Sequence, residues 1–406
     1  MKLWRASPAA AQAMTIRFSL ISVAVLFLSV VAVASIAGPQ AIFFHPDDRA
    51  SDFLKVILAL PGGRAAEGPL DWMVRKYAAS PDYRGVLGVM HLPPLSMLAA
   101  LLLRRSFEWF SPVLIYIGLA GLFLSILAIF VYRWTKDAFW VAAALISYPV
   151  IFTLDRGNLY AGLSAIPAIV ALLRRRSDWR GAWLFALAIN VRPNIAVAAL
   201  PILLCDWRFA PKLALSGLVL GLISLGAAHA LFPAYTLHSF LGGIRKYTEL
   251  YVPSNEGVSY GSSVFGALFM LGYNNQPLAA FVGLAPLLPA AFLTLSKKLW
   301  YDETVFICVA VSGLATAGYR DYHLMIFLAP LLIAESRLVA VASLLMLAPK
   351  GFVTWGDLSA QILLNPLIAM AAILALLLRA HARNVSDQSR ASPALALFLG
   401  RTAPDS

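Results

Sequence analysis

The amino-acid sequence predicts an all-α polytopic membrane protein. Hydrophobic residues make up 60% of the chain and charged residues only 13%, whereas charged residues make up about 25% of a typical soluble domain. The mean hydropathy is +0.78. Because a membrane-spanning helix needs about 20 mostly apolar residues, a chain of 406 residues has room for about ten to twelve spans. We therefore expect one integral membrane domain over residues 1–378, without a separate soluble domain.

The charge and the cysteines exclude some classes of partner and site. The formal net charge is +12, which nucleic-acid binding could explain. In a membrane protein, however, Lys and Arg concentrate in cytoplasmic loops, so we expect no nucleic-acid partner. The two cysteines, Cys205 and Cys308, both lie in apolar runs, which argues against a disulfide framework or a thiolate metal site.

The two ends of the chain are both basic. Residues 1–17 precede an apolar segment, Phe18–Gly38, that resembles a secretory signal but is longer than the usual apolar core of about 7–15 residues. We interpret it as an uncleaved first span with a cytoplasmic N-terminus. Residues 379–406 are expected to form a disordered cytoplasmic tail.

A polar segment rich in carboxylates follows the first span, within a first outer loop over residues 41–110. Ser51 is a favourable helix N-cap, and apolar residues then recur at the spacing of one helix face from Phe53 to Leu60. This pattern predicts a short amphipathic helix on the membrane surface, with Asp52 in its first turn. A second interfacial helix is predicted to begin at Pro93-Pro94, because proline is tolerated in the first turn of a helix.

The basic clusters predict which turns share a face. If all of the clusters are cytoplasmic, the polar turns between spans fall on the extracytoplasmic face. These turns are the carboxylate-rich loop, residues 155–158, 190–194, a second long outer loop at 233–277, 320–323 and 349–357. The sequence therefore places its mixed polar clusters on one face and both termini on the other.

The segment from Gly181 to Cys205 has basic flanks on both sides although it is long enough for only one span. Since proline removes a backbone donor and bends helices, we interpret it as a hairpin or broken helix that turns at Arg192-Pro193. A cation at membrane depth is costly unless it is paired or functional. Arg192 is therefore a candidate ligand for an anion, the alternative being a side chain that extends to the interface.

Several short motifs, in their order along the chain, resemble those of a known family. They are Asp52-Phe53, His91-Leu92-Pro93-Pro94-Leu95, Tyr148-Pro149, Gly157-Asn158, Arg192-Pro193, Tyr260-Gly261-Ser262-Ser263-Val264-Phe265-Gly266 and Arg320-Asp321-Tyr322-His323. Together they resemble the GT-C fold, and more narrowly the polyprenyl-phosphate-mannose-dependent mannosyltransferases and arabinofuranosyltransferase-like proteins of glycosyltransferase family 87. The resemblance covers residues 15–335. The family commonly has Gly-Gln and Lys-Pro where this chain has Arg156-Gly157-Asn158 and Arg192-Pro193, which leaves the sugar and the acceptor open.

The resemblance implies a GT-C-like helical bundle in a bacterial inner membrane. It implies inverting transfer of mannose, or a related hexose or pentose, from a polyprenyl-phosphate donor to a glycan or lipid-linked acceptor at the periplasmic face. Such a reaction needs a carboxylate to take the acceptor proton and cations to hold the departing phosphate. The family does not generally require a metal, so we expect neither a metal nor a cofactor.

The resemblance and the predicted face together select the candidate site residues. The general base is Asp52, whose alternative role is to cap its helix; Asp47 and Asp48 are secondary acids. Candidates for binding the donor phosphate are Arg192, Arg156, Arg320 and His323, and candidates for lining the cleft and binding the acceptor are His91, Asn158, Asn194, Arg245 and Tyr260.

Other classes of membrane protein remain open. A secondary transporter or flippase of lipid-linked sugars also places ionisable residues at broken helices, often within inverted repeats. An O-antigen-type polymerase or ligase has many spans and a large outer loop, and we expect such an enzyme to depend on arginine and histidine in that loop. A catalytically inactive scaffold is a third alternative.

Overall fold

The structure is a computed structural model that describes residues 8–38, 53, 92–253, 258, 261–317, 321–350, 354–355, 358–359 and 361–391. Its first helices are α1 (Pro8–Ala37), α2 (Pro94–Ser106), α3 (Pro112–Thr135), α4 (Ala138–Ile146), α5 (Tyr148–Arg156), α6 (Leu159–Leu173) and α7 (Trp179–Val191). A 3-10 helix, Pro193–Ala199, leads into α8 (Leu200–Cys205), and α9 spans Phe209–Leu231.

The second half of the chain is also helical. It contains α10 (Leu237–Lys246) with a π turn at Tyr247–Tyr251, then α11 (Val264–Met270), α12 (Gln276–Leu284), α13 (Leu287–Leu295) and α14 (Tyr301–Leu314). A second 3-10 helix, Asp321–Phe327, precedes α15 (Leu328–Leu332) and α16 (Arg337–Leu347). Two short antiparallel strands, β1 (Thr354–Trp355) and β2 (Leu358–Ser359), precede α17 (Gln361–Ala391).

The long apolar helices identify a multi-pass membrane protein. Among the described residues, five segments are long and apolar enough to cross a membrane, and the bent pair α4–α5 brings the number to six if it forms one span. The five are Phe18–Ala37, Pro112–Thr135, Phe209–Leu231, Gln276–Leu295 and Gln361–Arg383. This number is about half of the expected ten to twelve, because other apolar helices, such as α6 and α16, are shorter than a bilayer crossing.

Local sequence signals set the helix ends. Pro94 is the first residue of α2, which confirms the predicted start of that helix. The Asp137 carboxylate caps α4 by accepting the Phe139 amide at 2.8 Å, and Asp178 caps α7 by accepting the Gly181 amide at 2.9 Å. Such caps satisfy backbone donors that have no partner within the helix.

The centre of the fold is α14, which is buried from Asp302 to Leu314. It packs against the 3-10 helix Pro193–Ala199 and against α12, α13 and α17. Around it, α6, α7 and α9 form a layer of adjacent helices, and α1, α3 and α4 form another. On α3, Leu122 and Ile129 are 53% and 54% exposed, as expected of side chains that face lipid rather than water.

Several of the predicted cytoplasmic clusters lie together at one end of the helices, here called the basic end, where Arg175 lies 3.9 Å from Glu335 and Arg379 donates to Ser336 at 2.9 Å. Arg383 forms a bidentate ion pair with the buried Glu303, at 2.9 and 3.0 Å. Lys212 donates to the Ser177 carbonyl at 3.0 Å. Helices α6 and α7 run between this end and the opposite end, where Asn158 and Arg192 lie.

Two predicted segments have more helix than expected. Helix α17 continues to Ala391, so residues 379–391 of the predicted disordered tail are helical. The second predicted outer loop, 233–277, contains α10 and α11. Leu92–Ser106 of the first predicted outer loop also lies against the bundle, since α2 packs against α9 and α7.

Candidate active site

The turn at Arg192 is a break between two helical segments. Arg192 ends α7 in an extended conformation with φ −141° and ψ 92°, and Pro193 begins the 3-10 helix. The proline ring disfavours the helical region for the residue before it, and proline itself has no amide to donate. The predicted broken helix at Arg192-Pro193 is therefore confirmed, and the break directs the arginine side chain away from the axis of α7.

Asn158 holds the Arg192 side chain. The guanidinium Nη2 donates to Asn158 Oδ1 at 2.8 Å. Asn158 is 8% exposed and follows Gly157, whose φ of 74° lies in the left-handed region that glycine adopts without strain. Two residues that the sequence placed on the same face are thus in direct contact.

Two buried polar atoms beside this contact have no hydrogen-bond partner among the described residues. They are the Tyr160 hydroxyl and the Asn194 side-chain nitrogen Nδ2. The Tyr160 hydroxyl is also close enough to Arg192 to interact electrostatically with the guanidinium charge. A buried polar group without a partner costs about 1–3 kcal/mol, so this cluster (Asn158, Tyr160, Arg192 and Asn194) is chemically suited to receive a polar ligand.

Phe53, the residue after Asp52, packs at the same end of the fold. This ring is 1% exposed and lies 5.3 Å from the Tyr116 ring, centroid to centroid. The Tyr116 hydroxyl in turn donates to the Leu154 carbonyl of α5. On the neighbouring helix α2, Ser96 donates to the Val191 carbonyl at 3.3 Å, next to Arg192. The residue that follows Asp52 in the chain is therefore anchored near the cluster.

A second buried network is centred on the Asp321 carboxylate, which has no exposed surface. It accepts hydrogen bonds from Ser262 at 2.5 Å, from Tyr148 at 3.2 Å and from the Gln361 amide. Asn365 donates to Ser262 at 2.8 Å. Three of the motifs that carry the family resemblance, those containing Tyr148, Ser262 and Asp321, meet in this network.

Lys350 supplies positive charge to the Asp321 network. Its ammonium group is buried and donates to the carbonyls of Leu345 and Ala348, each at 2.6 Å. Its backbone amide donates to Gln361 at 2.8 Å. Burial raises the pKa of Asp321, while the Ser262 hydrogen bond and the Lys350 charge oppose that shift. Burial likewise lowers the pKa of Lys350, and Asp321 opposes the shift.

The predicted site residues are distributed as follows. Asp47, Asp48, Asp52, His91, Tyr260 and Arg320 lie outside the described residues. Arg156 lies in the last turn of α5, beside Gly157. His323 is 7% exposed in the 3-10 helix that begins at Asp321. Arg245 lies on the surface of α10, where it pairs with Glu249 at 2.8 Å.

Sequence reasoning missed the centre of the second network. Asp321 belongs to a motif whose neighbours Arg320 and His323 were chosen instead. Gln361 and Asn365 lie one helical turn apart in the part of α17, residues 361–378, that is otherwise apolar, and this spacing puts both on one face. That pair of polar residues was the signal that could have identified the network.

Comparisons of the chain with protein-family models, with curated proteins and with solved structures give no match.

Proposed function

We propose that this membrane protein is a glycosyltransferase that moves a sugar from a polyprenyl-phosphate donor to a hydroxyl acceptor at the end of the bundle where Arg192 lies. The observation that carries the proposal is the Arg192 cluster. Its guanidinium is fixed by Asn158 beside two buried polar atoms that lack partners among the described residues. Guanidinium groups match the geometry of phosphate oxygens.

The reaction follows from this assignment. The acceptor oxygen attacks the anomeric carbon, a new glycosidic bond forms, and the bond between that carbon and the phosphate oxygen breaks. The acceptor proton passes to the Asp52 carboxylate as general base. The lipid phosphate leaves as an anion that Arg192 stabilises, so it needs no general acid. Arg156, Arg320 and His323 are further candidates for contacts to the phosphate.

The anchored position of Phe53 supports Asp52 as the base. Asp52 directly precedes Phe53, whose ring is buried against Tyr116. The Tyr116 hydroxyl donates a hydrogen bond to the carbonyl of Leu154, two residues before Arg156 in α5. We propose that the Asp52 carboxylate, one residue before this buried ring, acts on an acceptor bound over the cluster. Mannose is the first sugar to test, followed by arabinose, on the grounds of the family resemblance.

The proposal is tested with the full chain in liposomes that contain polyprenyl-phosphate mannose or arabinose and membrane extract as the source of acceptor. We expect wild-type protein to release polyprenyl phosphate and to form a labelled glycan. Asp52→Asn is expected to abolish both products, and Arg192→Gln to lower the rate of both by about 10²–10³-fold. The matched control is Arg133→Gln, an exposed arginine at the far end of α3. Wild-type rates in both Asp52→Asn and Arg192→Gln would contradict the proposed mechanism.

A second candidate function, transport of a lipid-linked sugar, is favoured by the broken helices. The α4–α5 pair bends by 51°, α7 is interrupted at Arg192, and transporters form substrate sites at such breaks. A flipping assay with a fluorescent lipid-linked sugar separates the two functions. Flipping that persists in Asp52→Asn, without any glycan product from the wild type, would favour the transporter.

A further inference from the structure

A surface cavity of about 530 Å³ lies between α6, α7 and α9 at the basic end. Its volume falls within the range of about 300–1,000 Å³ that is typical of small-molecule sites. Three arginines, Arg174, Arg176 and Arg180, line one part of it, and Trp183, Leu187 and Leu220 line the other. The glycosyl-transfer mechanism above uses none of these residues.

The arginines leave the cavity with excess positive charge. Arg176 pairs with Asp178 at 2.7 Å. Arg174 and Arg180 are exposed, and across the described part of the chain neither side chain makes a hydrogen bond or an ion pair. The Asp178 carboxylate is also held by the Gly181 amide at 2.9 Å. Arg180 is close enough to Asp178 to lower the pKa of that carboxyl, so one carboxylate offsets part of the charge of the three arginines. The cavity therefore keeps a net positive charge that an anion can neutralise.

The apolar wall continues from this charge along α7. Arg180, Trp183 and Leu187 follow one another at intervals of three and four residues, and such residues share one helix face. Trp183 and Leu187 are 44% and 39% exposed. A face that changes from arginine through tryptophan to leucine has the polarity profile of a membrane interface, where tryptophan concentrates at the headgroup level.

We propose that this cavity binds an anionic phospholipid of the adjoining leaflet, with its phosphate between Arg174 and Arg180 and one acyl chain along Trp183, Leu187 and Leu220. Charge complementarity selects an anionic headgroup, because basic residues near a bilayer attract anionic lipid. The continuous apolar wall selects a lipid over a free anion, because burial of an acyl chain contributes in proportion to its apolar area.

The site is separate from the proposed donor site. Helix α6 has Asn158 just before its first residue and Arg174 just after its last, so the length of the helix separates the cavity from the Arg192 cluster. The bound lipid is therefore a structural ligand that links α6, α7 and α9. Its binding does not depend on whether the protein transfers sugar.

The test uses native mass spectrometry and thermal unfolding of the full chain in detergent, with phosphatidylglycerol or phosphatidylcholine added. We expect phosphatidylglycerol to be retained and to raise the unfolding temperature, and phosphatidylcholine to do neither. The double variant Arg174→Gln/Arg180→Gln is expected to bind phosphatidylglycerol about tenfold more weakly. Leu187→Asn, which keeps every charge, is also expected to weaken binding.

The matched control is Arg133→Gln/Arg337→Gln, which removes two exposed arginines that do not line the cavity. An equal loss of binding in this control would overturn the proposal, since general surface charge would then explain the affinity. Equal retention of phosphatidylcholine would also overturn it, as would an equal thermal shift from inorganic phosphate alone. If Arg174→Gln/Arg180→Gln does not fold, binding of phosphatidylglycerol is measured in the two single variants and in Leu187→Asn instead, and unchanged binding in all three would overturn the proposal.

Discussion

The Arg192 guanidinium donates to the Asn158 side-chain oxygen at 2.8 Å, across 34 positions of the chain. Each partner lies where the backbone must leave a helix: Arg192 precedes Pro193, and Asn158 follows Gly157, whose φ is 74°. The contact therefore depends on two backbone features that the sequence encodes locally. It fixes a cation at the end of α7, where a mobile arginine would lose side-chain entropy on binding a phosphate.

This relationship predicts a strongly non-additive pair of substitutions. Arg192→Gln is expected to lower the transfer rate by about 10²–10³-fold, as loss of one group that stabilises developing charge does. Asn158→Ala, which leaves the charge but frees the side chain, is expected to lower it by about tenfold to hundredfold. The double variant is expected to be no slower than Arg192→Gln alone, because Asn158 acts through Arg192. The readout is release of polyprenyl phosphate under single-turnover conditions.

A multiplicative loss in the double variant would show that the two residues act independently and would remove Asn158 from its positioning role. Arg192→Lys provides a further check. It keeps the charge but not the planar fork of donors, so we expect a raised donor KM and a partial rate. Full activity in Arg192→Lys would indicate that only charge is required.

The buried position of Phe53 predicts that two substitutions of this residue affect stability and transfer activity to different extents. Phe53→Ala is expected to lower the free energy of unfolding by about 3–5 kcal/mol, the usual cost of truncating a buried phenylalanine. Phe53→Leu is expected to retain most of the stability yet to lower the transfer rate, because it removes the ring contacts to Phe107 and Tyr116 next to the proposed base. Thermal unfolding and transfer assays on the same preparations measure both effects.

Phe110→Ala is the matched control for Phe53, since Phe110 is 63% exposed at the end of the α2–α3 connection. It is expected to change neither property beyond the scatter of repeated measurements. If Phe53→Leu transferred sugar as fast as the wild type, the proposed link between this ring and the general base would be wrong.

The Asp321 network predicts how stability varies with pH. Burial raises the folded-state pKa of Asp321 above its ordinary value of 3.8, so the folded state binds the proton more tightly than the unfolded state. The stabilising contribution is complete below the ordinary value and is lost as pH rises through the raised one. Thermal unfolding of the wild type from acidic to neutral pH should show this fall, and Asp321→Asn should lack it.

Asp178 provides a control of opposite sign. The Gly181 amide is the largest cause of its lowered pKa; burial opposes that shift, and the Arg176 and Arg180 charges add to it. Its contribution is therefore present above the ordinary value and lost as pH falls through the lowered one. The wild type is therefore expected to lose stability as the pH is lowered through the Asp178 pKa, and Asp178→Asn should not show this loss. The decrease in stability that Asp321 causes as the pH rises should be the same in Asp178→Asn as in the wild type. Identical pH profiles for both variants would contradict the assignment.

The features that the sequence predicted are those encoded within a few residues. Pro94 at the start of α2 and the break at Arg192-Pro193 follow from the missing amide and the fixed φ of proline. The long apolar runs at Phe18–Ala37 and Pro112–Thr135 are candidate spans because their length matches the bilayer. The contact between Asn158 and Arg192 agrees with their predicted placement on one face.

The features that it did not predict depend on residues far apart in the chain. Asp321 meets Ser262 and Gln361 at separations of 59 and 40 positions, and no local pattern selects such partners. The described residues contain five or six helices of spanning length, where the composition predicts ten to twelve, because composition does not distinguish an apolar helix long enough to cross the bilayer from a shorter one inside the fold. Helix α14 illustrates this, since its first turn contains the buried Asp302 and Glu303.

The contact of α12 with the end of α14 predicts the effect of a single methyl group. A Cβ added at Gly283 would lie 2.6 Å from the backbone of Ala315, and because backbone atoms cannot rotate away, the two segments would have to separate. Gly283→Ala is therefore expected to lower the free energy of unfolding by about 1–3 kcal/mol, as overpacking does. The matched control is Gly118→Ala on α3, where an added Cβ meets nothing within 4 Å and alanine favours the helix by about 1 kcal/mol. Thermal unfolding in one detergent should therefore move the two variants in opposite directions from the wild type. A shift in the same direction for both would show that the close approach of Gly283 to Ala315 does not limit the packing of α12.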